Sequence, residues 1–111
     1  MSTSSTTPGN PFVGKWRIIE ADLWDKDYLD LVEKAYIQFS NEGLGDFAFG
    51  AVTGSIDCHY SKYSVFFTWA GNDEMDAASG SGKAKIESNG TLTINLRFHL
   101  GDEAQLKAIK S

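Results

Sequence analysis

The chain has 111 residues, of which 41% are hydrophobic and 13% aromatic, and it carries a net charge of −5. That is the profile of one globular domain with a single core, neither a disordered chain nor two domains. The negative balance argues against a nucleic-acid partner, which needs basic surface to displace counterions, and against an anionic membrane, while a single cysteine, Cys58, excludes an internal disulfide.

The opening "MSTSSTTPGN" is polar, without the apolar centre or basic flank of a secretory signal. It reads as a disordered tail over residues 1–11, followed by one domain over residues 12–111. No apolar run approaches the roughly 18 residues of a membrane span, so a cytoplasmic protein is expected.

Beyond the tail the dominant period is two, the pattern of half-buried strands. "GKWRII" sets Trp16 and Ile18 on one face. The next stretch, "DLWDKDYLDLVEKA", breaks the period. Tyr28, Leu31, Val32 and Ala35 share a helical face, Asp25 stands where an N-cap belongs, and acids fill the first turn. The spacing predicts a helix from Lys26 to about Glu33.

Alternation then resumes. "AYIQFS" groups Ala35, Ile37 and Phe39; "GDFAFGAV" groups Phe47, Phe49 and Ala51; "SIDCHY" groups Ile56, Cys58 and Tyr60; "YSVFFTW" groups Tyr63, Val65, Phe67 and Trp69. A polar stretch, Gly71 to Gly80, reads as a long loop. After it "GKAKI" groups Gly82, Ala84 and Ile86, and "TLTINLRFHL" puts Leu92, Ile94, Leu96, Phe98 and Leu100 on one face. "QLKA" closes the series with Leu106 and Ala108. Turn signals stand between these runs at Asn41–Gly43, Thr53-Gly54 and Asn89-Gly90, the last suited to the positive φ angles of a type I′ hairpin.

The pattern predicts an all-β fold: an eight-stranded antiparallel up-and-down meander with one short helix between strands 1 and 2. Closure into a barrel removes exposed strand edges, and one short helix could not cover an open sheet of that size.

Gly14-Lys15-Trp16, ahead of the first strand's main run, resembles the G-x-W motif of lipocalins and related calycin barrels. The resemblance implies a small lipocalin-like barrel whose Trp closes one end against a basic residue of the last strand, here Lys107 or Lys110. The sequence departs from that family in lacking a T-D-Y counterpart. The stretches "LWDKDYLDLV", "FGAVTGSID", "TWAGNDEMDAASGSG" and "FHLGD" also resemble a set of small bacterial proteins, a likeness that brings no activity with it.

In a meander, alternate connections lie at the same end of the sheet. The helical segment, the Thr53-Gly54 turn, the Gly71–Gly80 loop and the Gly101–Glu103 turn should therefore share one end, the top. Its connections hold Asp22, Asp25, Asp27, Asp30, Glu33, Asp73, Glu74, Asp76, Asp102 and Glu103, most of the 15 acids. Trp24, Trp69 and His99 lie at or near the same end. The bottom, with Trp16, reads as a closed structural end.

Barrel mouths are favoured ligand sites, so the candidate ligand-binding residues are Trp24, Asp27, Trp69, Asp73, Glu74, Asp76, His99 and Asp102. The tryptophans offer flat apolar faces, and the acids and His99 could hold a cation or share a proton. The plainer reading is a solvated acidic loop, with Trp24 stapling the helix to the rim and Trp69 filling the core. "NDEMD" lacks the spacing of a calcium loop, no HxH or HExxH pattern is present, and Cys58 alternates with core residues as an inert buried thiol. The sequence leaves any cofactor unassigned. The leading reading is a small ligand bound at the helix-capped end; the alternative is an acidic surface presented to a basic protein partner. A metal-assisted enzyme at the same end ranks below both, because no nucleophile or metal spacing supports it.

Overall fold

The computed structural model describes residues 11–99 and 101–111. The expected tail over residues 1–11 lies, Pro11 apart, outside the described residues, and so does Leu100. The order is β1 (Gly14–Ala21), α1 (Lys26–Leu29), β2 (Tyr36–Phe39), β3 (Leu44–Phe49), β4 (Val52–Tyr60), β5 (Ser64–Asp73), β6 (Asp76–Ile86), β7 (Leu92–Phe98) and β8 (Glu103–Lys110). Each strand pairs antiparallel with its neighbour in sequence. β1 then pairs with β8, from Trp16 opposite Lys110 to Ala21 opposite Leu106, and the eight strands form a closed barrel.

The period-two pattern has the expected physical outcome. Side chains at alternate positions enter the barrel, and those of Phe39, Phe47, Phe49, Phe67 and Trp69 are at most 3% exposed. Their rings contact one another in two groups, Phe12 edge-on to Phe39 with Phe39 tilted on Phe67, and Phe47 stacked on Phe49 and edge-on to Trp69. Glycines make the room. A Cβ at Gly82 would lie 2.3 Å from the Phe67 ring, and one at Gly54 would lie 2.8 Å from Phe47. No polar or charged residue is buried among the described residues, so the barrel is a packed apolar core.

Four local expectations are corrected. The Thr53-Gly54 turn does not exist: β3 turns into β4 at Gly50-Ala51, where Gly50 takes φ +56°, and Gly54 is a strand residue that accommodates the rings of Phe47 and Trp69. Gly71 to Gly80 is no loop but the paired ends of β5 and β6, joined by Glu74-Met75 alone. Small residues there permit close strand pairing, which composition alone disguises as loop. Asn89-Gly90 does not form a type I′ turn: the Glu87 N–H donates to the Thr91 carbonyl across three residues, only Gly90 has positive φ (+88°), and the Asn89 carboxamide accepts the N–H of Thr91. Tyr63 lies ahead of β5 and is 75% exposed.

The helix is also shorter than its periodicity predicts, and it buries a different face. Asp25 caps it by accepting the N–H of Tyr28 at 2.9 Å. It stops at Leu29 because Asp30 turns away to meet Arg17, at 3.0 and 2.7 Å, and to accept the N–H of Ala35. Leu29 is fully buried and its carbonyl accepts the Gly50 N–H at 2.7 Å, while Leu31 and Val32, expected inside, are 63% and 72% exposed.

At the bottom, Lys110 rather than Lys107 serves Trp16. Its ammonium lies 4.8 Å from the ring centre and donates to the Val13 carbonyl, while the Trp16 indole donates to Phe12. Lys107 faces Glu20 on the outer surface at 3.5 Å.

Candidate functional site

The top end divides into a capped half and an open half. Over the first, Trp24 packs 5.0 Å from Phe49, 5.9 Å from Tyr28 and 6.2 Å from Phe98, ring centre to ring centre. Tyr28 lies across Gly50, where a Cβ would be 2.1 Å from its ring, so only glycine fits under the helix. Trp24 is half-buried and Trp69 is 3% exposed, its indole N–H donating to the Arg97 carbonyl at 3.3 Å. The Trp69 ring is enclosed by Phe47 and Phe98 and has no open face for a ligand.

The open half is built by the ends of β5 and β6. The strands run to Asp73 and Asp76, which stand opposite each other in register. The turn between them puts Glu74 at φ +60° and lets its N–H donate to the Ala51 carbonyl, continuing the ladder with β4. On its other side β6 parts from β7. Their register ends at Gly80 opposite Phe98, followed by one bond from the His99 N–H to the Ser79 carbonyl at 2.7 Å.

A groove of about 810 Å³ runs along this region. Asp73, Glu74, Asp76, His99 and Asp102 line it, over small and apolar surface from Ala70, Ala77, Ala78 and Phe98. Among the described residues, no Lys or Arg contributes to its walls. Five of the eight sequence-predicted site residues thus come together. Asp27, exposed in α1, lines none of the described grooves, and Trp24 and Trp69 belong to the cap and core.

The ten acids grouped at the top by strand parity separate by task. Asp25 caps the helix, Asp30 holds Arg17, Asp22 accepts the Gln105 N–H, and Glu103 faces Arg97 at 3.3 Å. Asp27 and Glu33 are exposed on the helical segment, away from the groove. Among the described residues, Asp73, Glu74, Asp76 and Asp102 have no cation or N–H partner for their side chains. These four are the acids of the groove. The described residues hold no grouping of three or more His, Cys, Asp or Glu with metal-binding geometry.

Sequence reasoning missed the floor, Ala70, Ala77, Ala78 and Phe98. A loop has no strand alternation, so reading Gly71 to Gly80 as loop leaves Ala77 and Ala78 unplaced, while the alternation of β7 assigns Phe98 to the core face alone. The small residues on both sides of "NDEMD", "AG" ahead of it and "AASG" after it, are the signal for a paired arm.

A comparison with known proteins finds no family model, no curated protein and no solved structure that matches this chain. No helix among the described residues is long and apolar enough to cross a membrane.

Proposed function

We propose that this barrel is a protein-interaction module whose acidic groove receives a basic segment of a partner protein. One observation carries the reading: Asp73, Glu74, Asp76 and Asp102, four top-end acids whose side chains have no partner among the described residues, line the same groove, and no described Lys or Arg enters it. Asp73 and Asp76 are register partners, and like charges placed directly opposite repel unless a cation comes between them. The alanines and Phe98 beside them suit the aliphatic stems of lysine or arginine.

A small ligand in the helix-capped mouth has less support, because Trp24 covers Phe49 and Phe98 there and aromatic rings fill the interior below. The contact of Lys110 with Trp16 supports a calycin-like reading of the barrel's closed end and says nothing of a ligand.

The test is a binding titration with a lysine-rich peptide at several salt concentrations, for the native chain and for Asp73→Asn/Asp76→Asn/Asp102→Asn. Binding should weaken several-fold as salt rises, because exposed charges are screened, and the variant should bind weakly at every salt. Equal binding by variant and native chain would refute the groove as the site.

A further inference from the structure

The groove follows an edge rather than a face. Its lining takes Ala70, Ala77 and Ser79 from the outward positions of β5 and β6, and Asp73, Asp76 and Ala78 from the inward ones. A surface that shows both faces of a strand pair is its rim, here the side of β6 that β7 leaves uncovered beyond Gly80.

The backbone of that rim has a definite orientation. Asp73 and Asp76 bracket a two-residue turn, so they form the hydrogen-bonded pair of the hairpin. The next pair, Asn72 opposite Ala77, is of the non-bonded kind, and the N–H and C=O of Ala77 point away from β5. Ser79, two positions along, shares this orientation, and its carbonyl does accept a bond from that side, from the His99 N–H. At Ala77, which is exposed, β7 has already ended and no described residue pairs with the outward groups.

We infer that the basic partner binds as an extended strand, adding to β6 at Ala77 in the place where β7 stops. This rests on the acidic-groove reading and specifies its mode: main-chain bonds to Ala77 supply a docking register, and basic side chains reach Asp73, Glu74, Asp76 and Asp102. The charge also selects the occupant. A second copy of the chain, with net charge −5, would bring the same acids against these acids, which is how exposed edges are protected from self-pairing. A basic strand meets opposite charge along the same edge.

The probe is a short labelled peptide of alternating lysine and valine, used beside the same peptide N-methylated on alternate residues to block main-chain bonding at unchanged charge. The native chain should bind the unmethylated peptide about tenfold more tightly, the scale of one or two backbone hydrogen bonds. Ala77→Pro removes the outward N–H while leaving the β5–β6 ladder bonds intact, and proline is tolerated at strand edges. It should lose that preference and keep the weaker, salt-sensitive attraction common to both peptides. Protection of the Ala77 amide from hydrogen exchange when the unmethylated peptide is added to the native chain gives a second readout that needs no variant.

Equal binding of the two peptides, or an Ala77 amide that exchanges as fast with the peptide as without it, would overturn strand addition while the acidic groove stood. Absence of salt-sensitive binding by either peptide would overturn the groove and strand addition together.

Discussion

Asp73 and Asp76 stand directly opposite one another across the β5–β6 ladder, two carboxylates in register with no Lys or Arg of the described residues between them. A hairpin end optimised for folding alone would not carry that pair, because like charges opposite each other destabilise a sheet. Asp76→Asn should therefore raise the thermal midpoint and reduce its dependence on added salt, while weakening the basic peptide. Calorimetry at low and high salt reads the first effect and the peptide titration reads the second. A variant that loses stability would show that the pair is structural.

Asp30 does the opposite work. Its two bonds to Arg17 and the bond from the Ala35 N–H hold its carboxyl below the usual value of 3.8. Because the folded value is depressed, the stabilisation is present above pH 3.8 and disappears as pH falls through the folded value. Asp30→Ala should cost about 1–2 kcal/mol at neutral pH, the range for charged hydrogen bonds at a partly exposed pair. In urea unfolding the gap from the native chain should shrink steadily as the buffer is taken below pH 3.8.

Trp24 joins α1 to the barrel through Phe49, Tyr28 and Phe98. Removing a half-buried indole should cost about 2 kcal/mol, below the range for fully buried tryptophan. Trp24→Ala should also bind a hydrophobic dye through the uncovered rings, and Trp24→Phe should recover most of the loss. Unchanged stability in Trp24→Ala would free that face for a ligand and revive the small-ligand reading.

On the outer wall, the Tyr36 hydroxyl donates to the Asp46 carboxylate, and this bond, with burial, pushes the phenol up to about 12. A raised folded value means that the bond stabilises the barrel below pH 10.0 and is lost as pH rises through about 12. In phenolate absorbance titrations, Asp46→Asn should move one tyrosine to lower pH. Tyr60, held at about 12 chiefly by burial inside the barrel, should stay where it is.

Alternation by itself makes most of the barrel legible. Leu92, Ile94 and Leu96 can only share a face, and eight such runs without a covering layer have to close on themselves. Parity carries further than composition: it places the acids of three distant segments at one end, and the groove draws on two of those segments. The pattern weakens where small residues interrupt it. Gly54 reads as a turn and proves to be space for Phe47 and Trp69; Gly71 to Gly80 reads as a loop and proves to be a paired arm.

Strand number, closure, and the acidic end follow from local periodicity and meander order, because both are properties of the chain taken in sequence. Which carboxylates fold the protein and which face outward does not, because that depends on what each meets across the barrel. Arg17 reaches Asp30, Gln105 reaches Asp22 and Arg97 reaches Glu103 through contacts that no spacing announces. Only the tertiary structure leaves Asp73, Glu74, Asp76 and Asp102 together beside an open strand edge.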